Sequence, residues 1–196
     1  MSCRNIKSSR KTMMGSVALD RSSDGELDKI LRAAFARVRT SLDTARSLLA
    51  SNFYGPAYVW AVRSVEVYLK EVVLLPLFLE TNDGDWVRAR KSIRKLFSSG
   101  NWSRAIKKIE EEYGPFDPML TEDNKNVWDI WKQTIVGRRG DTVHGLVDTQ
   151  RSETEIVVKW AEMMTEQLSM RLIAAGRHPL SDMILQVIDR ARGESS

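Results

Sequence analysis

The segment ELDKILRAAFARVRTSLDTARSLLA, 25 residues long, places Leu27, Ile30, Leu31, Ala34, Val38, Leu42, Ala45 and Leu49 at helical steps. Those positions share one face only if the chain is helical, because a strand would send them to alternate sides. A stripe of that length spans about 37 Å at 1.5 Å per residue. It needs other long helices to cover it. The next segment supplies one: after the breaker NFYGP, AYVWAVRSVEVYLKEVVLLPLFLE is apolar on most sides and is expected to be the central helix. Pro56 falls in its first turn, where a missing N–H costs nothing.

The rest of the chain continues in the same period. Asp24 is the expected N-cap of the first helix, and Asp85 or Asp83 that of WVRARKSIRKLFSS. WSRAIKKIEEEY should end at Gly114-Pro115, and NKNVWDIWKQTIV offers Trp128, Trp131 and Ile135 as an apolar stripe. Ser152 with Glu155 reads as a capping box for TEIVVKWAEMMTEQLSMRLIAAG, which should stop at Gly176. Leu180, Met183, Ile184, Val187 and Ile188 form one face of a last, short amphipathic segment. No segment sustains period-2 alternation, so the expected class is all-α, a single-domain helical bundle. The expected divisions are a basic flexible tail at 1–24, the bundle at 25–176, and an amphipathic helix with a polar end at 177–196.

Charge and cysteine content narrow the function classes. The net charge of +4 is concentrated at the start: residues 1–25 hold Arg4, Lys7, Arg10, Lys11 and Arg21 against Asp20 and Asp24. This stretch reads as disordered; it either adds attraction to nucleic acid or precedes a true start at Met13 or Met14. The single cysteine, Cys3, excludes a disulfide framework and favours a reducing compartment. VVLLPLFL, interrupted by Pro76, is the longest apolar run, far short of the ~20 residues of a membrane span. A cytoplasmic location without membrane partners is expected. Two histidines and one cysteine at no ligand spacing argue against a zinc site, and no phosphate-binding glycine loop is present. No cofactor is expected.

Two features remain. Residues 88–108 hold eight basic residues (Arg88, Arg90, Lys91, Arg94, Lys95, Arg104, Lys107 and Lys108) and no acidic one. Arg88, Lys91 and Lys95 fall together on the outer face of an amphipathic helix. One reading is an RNA-tracking surface, formed by Arg88, Lys91, Arg94, Lys95 and Lys107 with Trp102 as a stacking platform. The other is a solvated face with Trp102 in the core. The second feature is GRRGDTVHG at 137–145, which packs Arg138, Arg139, Asp141 and His144 between glycines. Gly137 and Gly140 should let the backbone leave the helix and bring the charged groups together. Forked guanidinium donors suit phosphate oxygens, and a histidine exchanges protons near neutral pH.

An Arg, a spacer of four to six residues, then His and Gly at the entry to the last long helix of a bundle resembles the HEPN domain (higher eukaryotes and prokaryotes nucleotide-binding). Arg139-x4-His144 and Arg138-x5-His144 both match, and the resemblance covers residues 27–175. Gly140 stands where the family has a polar residue, so either Asp141 fills that role or Arg138 is the family arginine. The family's polar side chain on the second helix corresponds to Glu66, which otherwise reads as a boundary glutamate paired with Arg63 or Lys70. The resemblance implies a metal-independent endoribonuclease of the toxin or antiviral kind. Its catalytic residues would be Arg139, His144, Arg138, Asp141 and Glu66. The implied partners are RNA, a second copy of the chain, and a cognate antitoxin or other protein.

Cleavage of RNA by its own 2′-hydroxyl needs a base, an acid for the leaving 5′-oxygen, and positive charge around the phosphorane. One chain has one motif histidine, so two copies across a twofold axis would supply both groups. The alternative expectation is a non-catalytic helical module that binds a protein or nucleotide.

Overall fold

The computed structural model describes residues 21–98, 102–116, 119–121, 123–143 and 148–175. Helix α1 spans Arg21–Ala50 and buries Leu31, Ala34, Val38, Leu42 and Ala45, with Leu27, Ile30 and Leu49 packed at its margins. The expected stripe is therefore the inward face. The helix begins three residues before Asp24, which places that residue inside the first turn rather than at the cap.

The central element runs without a break as α2 (Tyr54–Val67), a widened π-helical stretch (Tyr68–Leu74) and α3 (Leu75–Thr81). Tyr58, Ala61, Val62, Val65, Tyr68 and Leu69 are all fully buried. The widening comes just before Pro76, which cannot donate to the carbonyl four residues back and whose ring crowds it. A wider turn relieves that conflict without ending the helix. α1 and α8 (Arg151–Ala174) pack against this element and against each other, so the three long helices form the body of the bundle. Arg46 of α1 pairs with Glu162 of α8 at 2.6 Å, and the Tyr68 hydroxyl meets Ser169 Oγ at 2.6 Å.

α4 (Trp86–Phe97) and α5 (Ser103–Tyr113) cover the far end of the central element. Asp85, not Asp83, caps α4: its carboxylate accepts from the Val87 and Arg88 amides at 2.9 and 3.0 Å. Asp83 and Gly84 instead take positive φ (51° and 77°) in the reversing turn. α5 ends at Gly114, φ 83°, where the sequence places its stop. The last part of the fold comprises α6 (Val127–Ile130), a second π-helical stretch (Trp131–Ile135) and α7 (Val136–Val143), one continuous run. Trp128, Trp131 and Ile135 are buried as their spacing suggests.

Two further expectations are corrected at α8. It starts at Arg151 after Gln150, with no side-chain cap, so Ser152 lies within the first turn. Glu155 pairs with Arg151 at 2.7 Å instead of closing a capping box, because an i,i+4 cation is within closer reach. The helix ends at Ala174; Gly176 lies outside the described residues. So do the basic tail through Asp20 and the stripe from Leu180 to Ile188. Among the described residues there is no strand, only an isolated bridge between Leu120 and Asn126. None of the described helices is long and apolar enough to cross a membrane.

Candidate functional site

Arg138, Arg139 and Asp141 stand on α7, and the helix continues through both motif glycines. The expected departure from helix at Gly137 and Gly140 does not occur. Among the described residues, nothing beyond the helix's own backbone lies within 4 Å of where a Cβ would sit on either glycine, so no close approach there demands them. Glycine within a helix costs about 1 kcal/mol, and anchoring on the bundle offsets it. The Tyr58 hydroxyl donates to the Ile135 carbonyl at 3.1 Å just before α7, and Thr142 Oγ1 donates to the Arg138 carbonyl at 3.0 Å within it.

Consecutive residues on a helix point about 100° apart, so the two arginines diverge. Arg139 Nη1 bonds Glu66 Oε2 on the central helix. Arg138 turns to α8, where Nη1 lies 2.7 Å from Glu153 Oε1 and Nη2 donates to the Asp148 carbonyl at 3.3 Å. Its buried Nε has no acceptor among the described residues. Arg138 thus ties the entry of the last long helix back to α7. Asp141 is exposed and pairs with neither arginine. His144 lies outside the described residues, as do positions 145–147.

Glu66 thus bonds Arg139 of α7 and, as one reading expected, Lys70 of its own helix run. Its other oxygen, Oε1, accepts from Lys70 Nζ at 2.5 Å, while Arg63 lies over the Trp60 ring instead. The Glu66 side chain is 19% exposed. Burial pushes its carboxyl up, but the Lys70 hydrogen bond, the Arg139 charge and the Lys70 charge together outweigh it and hold the group below its ordinary value. Glu66 is therefore an ionised bridge between two cations. On the same helix, burial foremost, with the Glu153 charge and against Arg138, raises the Tyr58 phenol, which stays protonated as a donor.

The basic run divides between two helices. Arg88, Lys91, Arg94 and Lys95 are exposed on α4, with Arg88 3.2 Å from Asp85; Lys107 is exposed on α5. Trp102 is 3% exposed and packs edge-on against Phe97 and beside Trp131. Its ring has no free face for a base, so Trp102 is a core residue and not a stacking platform. Glu153 escapes motif-based reading, whereas Lys70 enters it as a partner of Glu66 and Arg90 as a member of the basic run. Lys70 is signalled by its four-residue step from Glu66, Arg90 by the run of positive charge, and Glu153 by nothing local. Among the described residues, no three His, Cys, Asp or Glu side chains are grouped to hold a metal ion. No protein-family profile, curated protein or solved structure matches the chain.

Proposed function

We propose that this protein is a metal-independent endoribonuclease with a composite Arg/His site shared by two copies of the chain, as the resemblance to the HEPN domain implies. One observation carries the reading: Arg139, five residues before His144, is held by Glu66 of the central helix. Folding alone does not require a guanidinium at a helix surface to be fixed by a mostly buried, ionised carboxylate 73 positions away. A phosphate-binding arginine does require orientation. Arg139 is then the motif arginine and Glu66 its positioning residue. Arg138, committed to Glu153 and the Asp148 carbonyl, ties α7 to the start of α8. In this mechanism the two His144 copies act as base and acid while the Arg139 copies hold the phosphate. Toxin or antiviral action, with a cognate antitoxin, is the biological setting of such an activity.

The test is incubation of the purified protein with labelled RNA in excess chelator. Wild type should yield products ending in 2′,3′-cyclic phosphate, and His144→Ala should cleave at least ~100-fold more slowly, the lower end for an acid–base group. Cleavage that needs a divalent ion, or that survives the substitution, rules the reading out. A second reading, a non-catalytic interaction module, is favoured by one observation. Among the described residues, Ile156, Met163, Met170 and Ile173 are exposed along α8, an apolar line on the longest late helix. Absence of any cleavage by wild type would favour it.

A further inference from the structure

A cleft of about 150 Å³ opens between the central element and α4, lined by Lys70, Glu71, Leu75, Arg90, Ile93 and Arg94. Three of its six residues are cations and one is a carboxylate. That carboxylate, Glu71, is already taken by Arg37 of α1. Lys70 is held in place by Glu66 and by the Phe97 ring, 4.6 Å from its ammonium. Arg90 and Arg94 have no ion-pair partner among the described residues. They stand four apart on one exposed face of α4, an arrangement of like charges that weakens a helix by a few tenths of a kcal/mol. Ile93 and Leu75 supply an apolar floor. The α4 face is fixed over this floor because Asp85 caps the helix at one end and Ala89 and Ile93 are buried along it.

We infer that this cleft is a subsite for a phosphate group of the RNA backbone, with Arg90 and Arg94 as its forked donors and Lys70 as its third cation. The size points to a phosphate and not a nucleoside, since clefts that enclose larger organic ligands measure about 300–1,000 Å³. Two arginines lining one cleft from the same helix offer forked donors suited to phosphate oxygens. The cleft also adjoins the proposed active site. Lys70 bonds Glu66, and Glu66 bonds Arg139, so one unbroken run of charge contacts joins the subsite to the motif. A strand held at Arg139 would place a flanking phosphate at Arg90 and Arg94, and Lys91 and Lys95 extend the positive surface beyond. The assignment of RNA as the source of the phosphate rests on the ribonuclease reading; the anion site itself rests on the cleft.

The experiment measures binding apart from cleavage. A fluorescent 2′-O-methyl RNA oligomer, which lacks the attacking hydroxyl, is titrated with wild type and with Arg90→Gln/Arg94→Gln across a salt series. Removing the contact to one phosphate on a single strand should lower the slope of log affinity against log salt by about 0.7. With an unchanged 1 M intercept, that is about 5-fold weaker binding at 0.1 M salt. Arg90→Lys/Arg94→Lys keeps the charge and should retain the slope, which separates lost charge from lost fold. An unchanged slope in the Gln variant overturns the subsite even if the protein cleaves RNA. An altered slope in a protein that never cleaves RNA supports the subsite and rejects the nuclease. Inorganic phosphate at matched ionic strength provides the other arm. If it raises the melting temperature of wild type but not of the Gln variant, while the oligomer slope is unaffected, the cleft takes free phosphate and the backbone assignment fails.

Discussion

Replacing Glu66 with Gln removes the charge that joins Arg139 and Lys70 while keeping the side chain's shape. Charge-assisted hydrogen bonds are worth about 1.5–3 kcal/mol each, and fully exposed ion pairs about 0–1 kcal/mol. Glu66 sits between these limits, with its side chain 19% exposed and both partners 31% exposed. The partners can take up water when released, and Gln retains one acceptor oxygen, so the net loss at pH 7 should be about 1–2.5 kcal/mol. In a chain of this length each kcal/mol moves the melting temperature by roughly 2–4 °C.

The pH dependence is the sharper test. The folded-state pKa of Glu66 lies below the ordinary value of 4.5. Between the two values the unfolded chain binds more protons, so stability rises with pH there. The contribution is fully present above 4.5 and is lost as pH falls through the folded-state value. Urea denaturation of wild type and Glu66→Gln from pH 7 down to the lowest pH at which both stay folded should show a gap that closes below 4.5. A gap under about 0.5 kcal/mol at pH 7, or one that persists unchanged at acid pH, would refute the view of Glu66 as an ionised bridge.

Three further outcomes are expected. Trp102→Ala should destabilise by about 3–5 kcal/mol as a core deletion, whereas a surface stacking residue would change stability by less than about 0.5 kcal/mol; chemical denaturation decides. Arg138→Gln should cost about 1–2 kcal/mol and speed amide exchange at the start of α8, with α1 unaffected; equal protection in both proteins would remove Arg138 as the tie between α7 and α8. Wild type and His144→Ala, unfolded and refolded together in equal amounts, should retain roughly a quarter of the ribonuclease activity if the site spans a dimer, against roughly half if each chain carries a complete site.

Much of the fold is a local property of the chain and is legible as such. The stripe from Leu27 to Leu49, the mostly apolar central segment, the stop at Gly114 and the burial of Trp128, Trp131 and Ile135 all follow from spacing and turn chemistry. Helical period acts over a few residues, so it can be read along the chain. Glu66 is also legible as a candidate, though its four-step neighbour Lys70 offers a plainer explanation and both partners turn out to be present. Cap positions are less secure: Asp83 and Asp85 are equivalent in sequence, and the reversing turn selects Asp85.

Other features depend on how helices face one another. The glycines of the motif suggest a break, yet α7 runs through them because Tyr58 and the buried tryptophans anchor the helix from which it extends. The widened stretches at Tyr68–Leu74 and Trp131–Ile135 each disturb the regular period, turning the downstream residues by about 100° for one added residue. No count along the sequence anticipates that rotation, and it alters which side of α7 meets the central helix. Arg138 and Arg139 are chemically identical neighbours, and sequence alone does not divide their roles. Tertiary packing does, by setting Glu66 of α2 against one and Glu153 of α8 against the other. Periodicity determines which residues a helix buries, whereas pairing between residues far apart in sequence is decided only when the helices dock at a particular rotation.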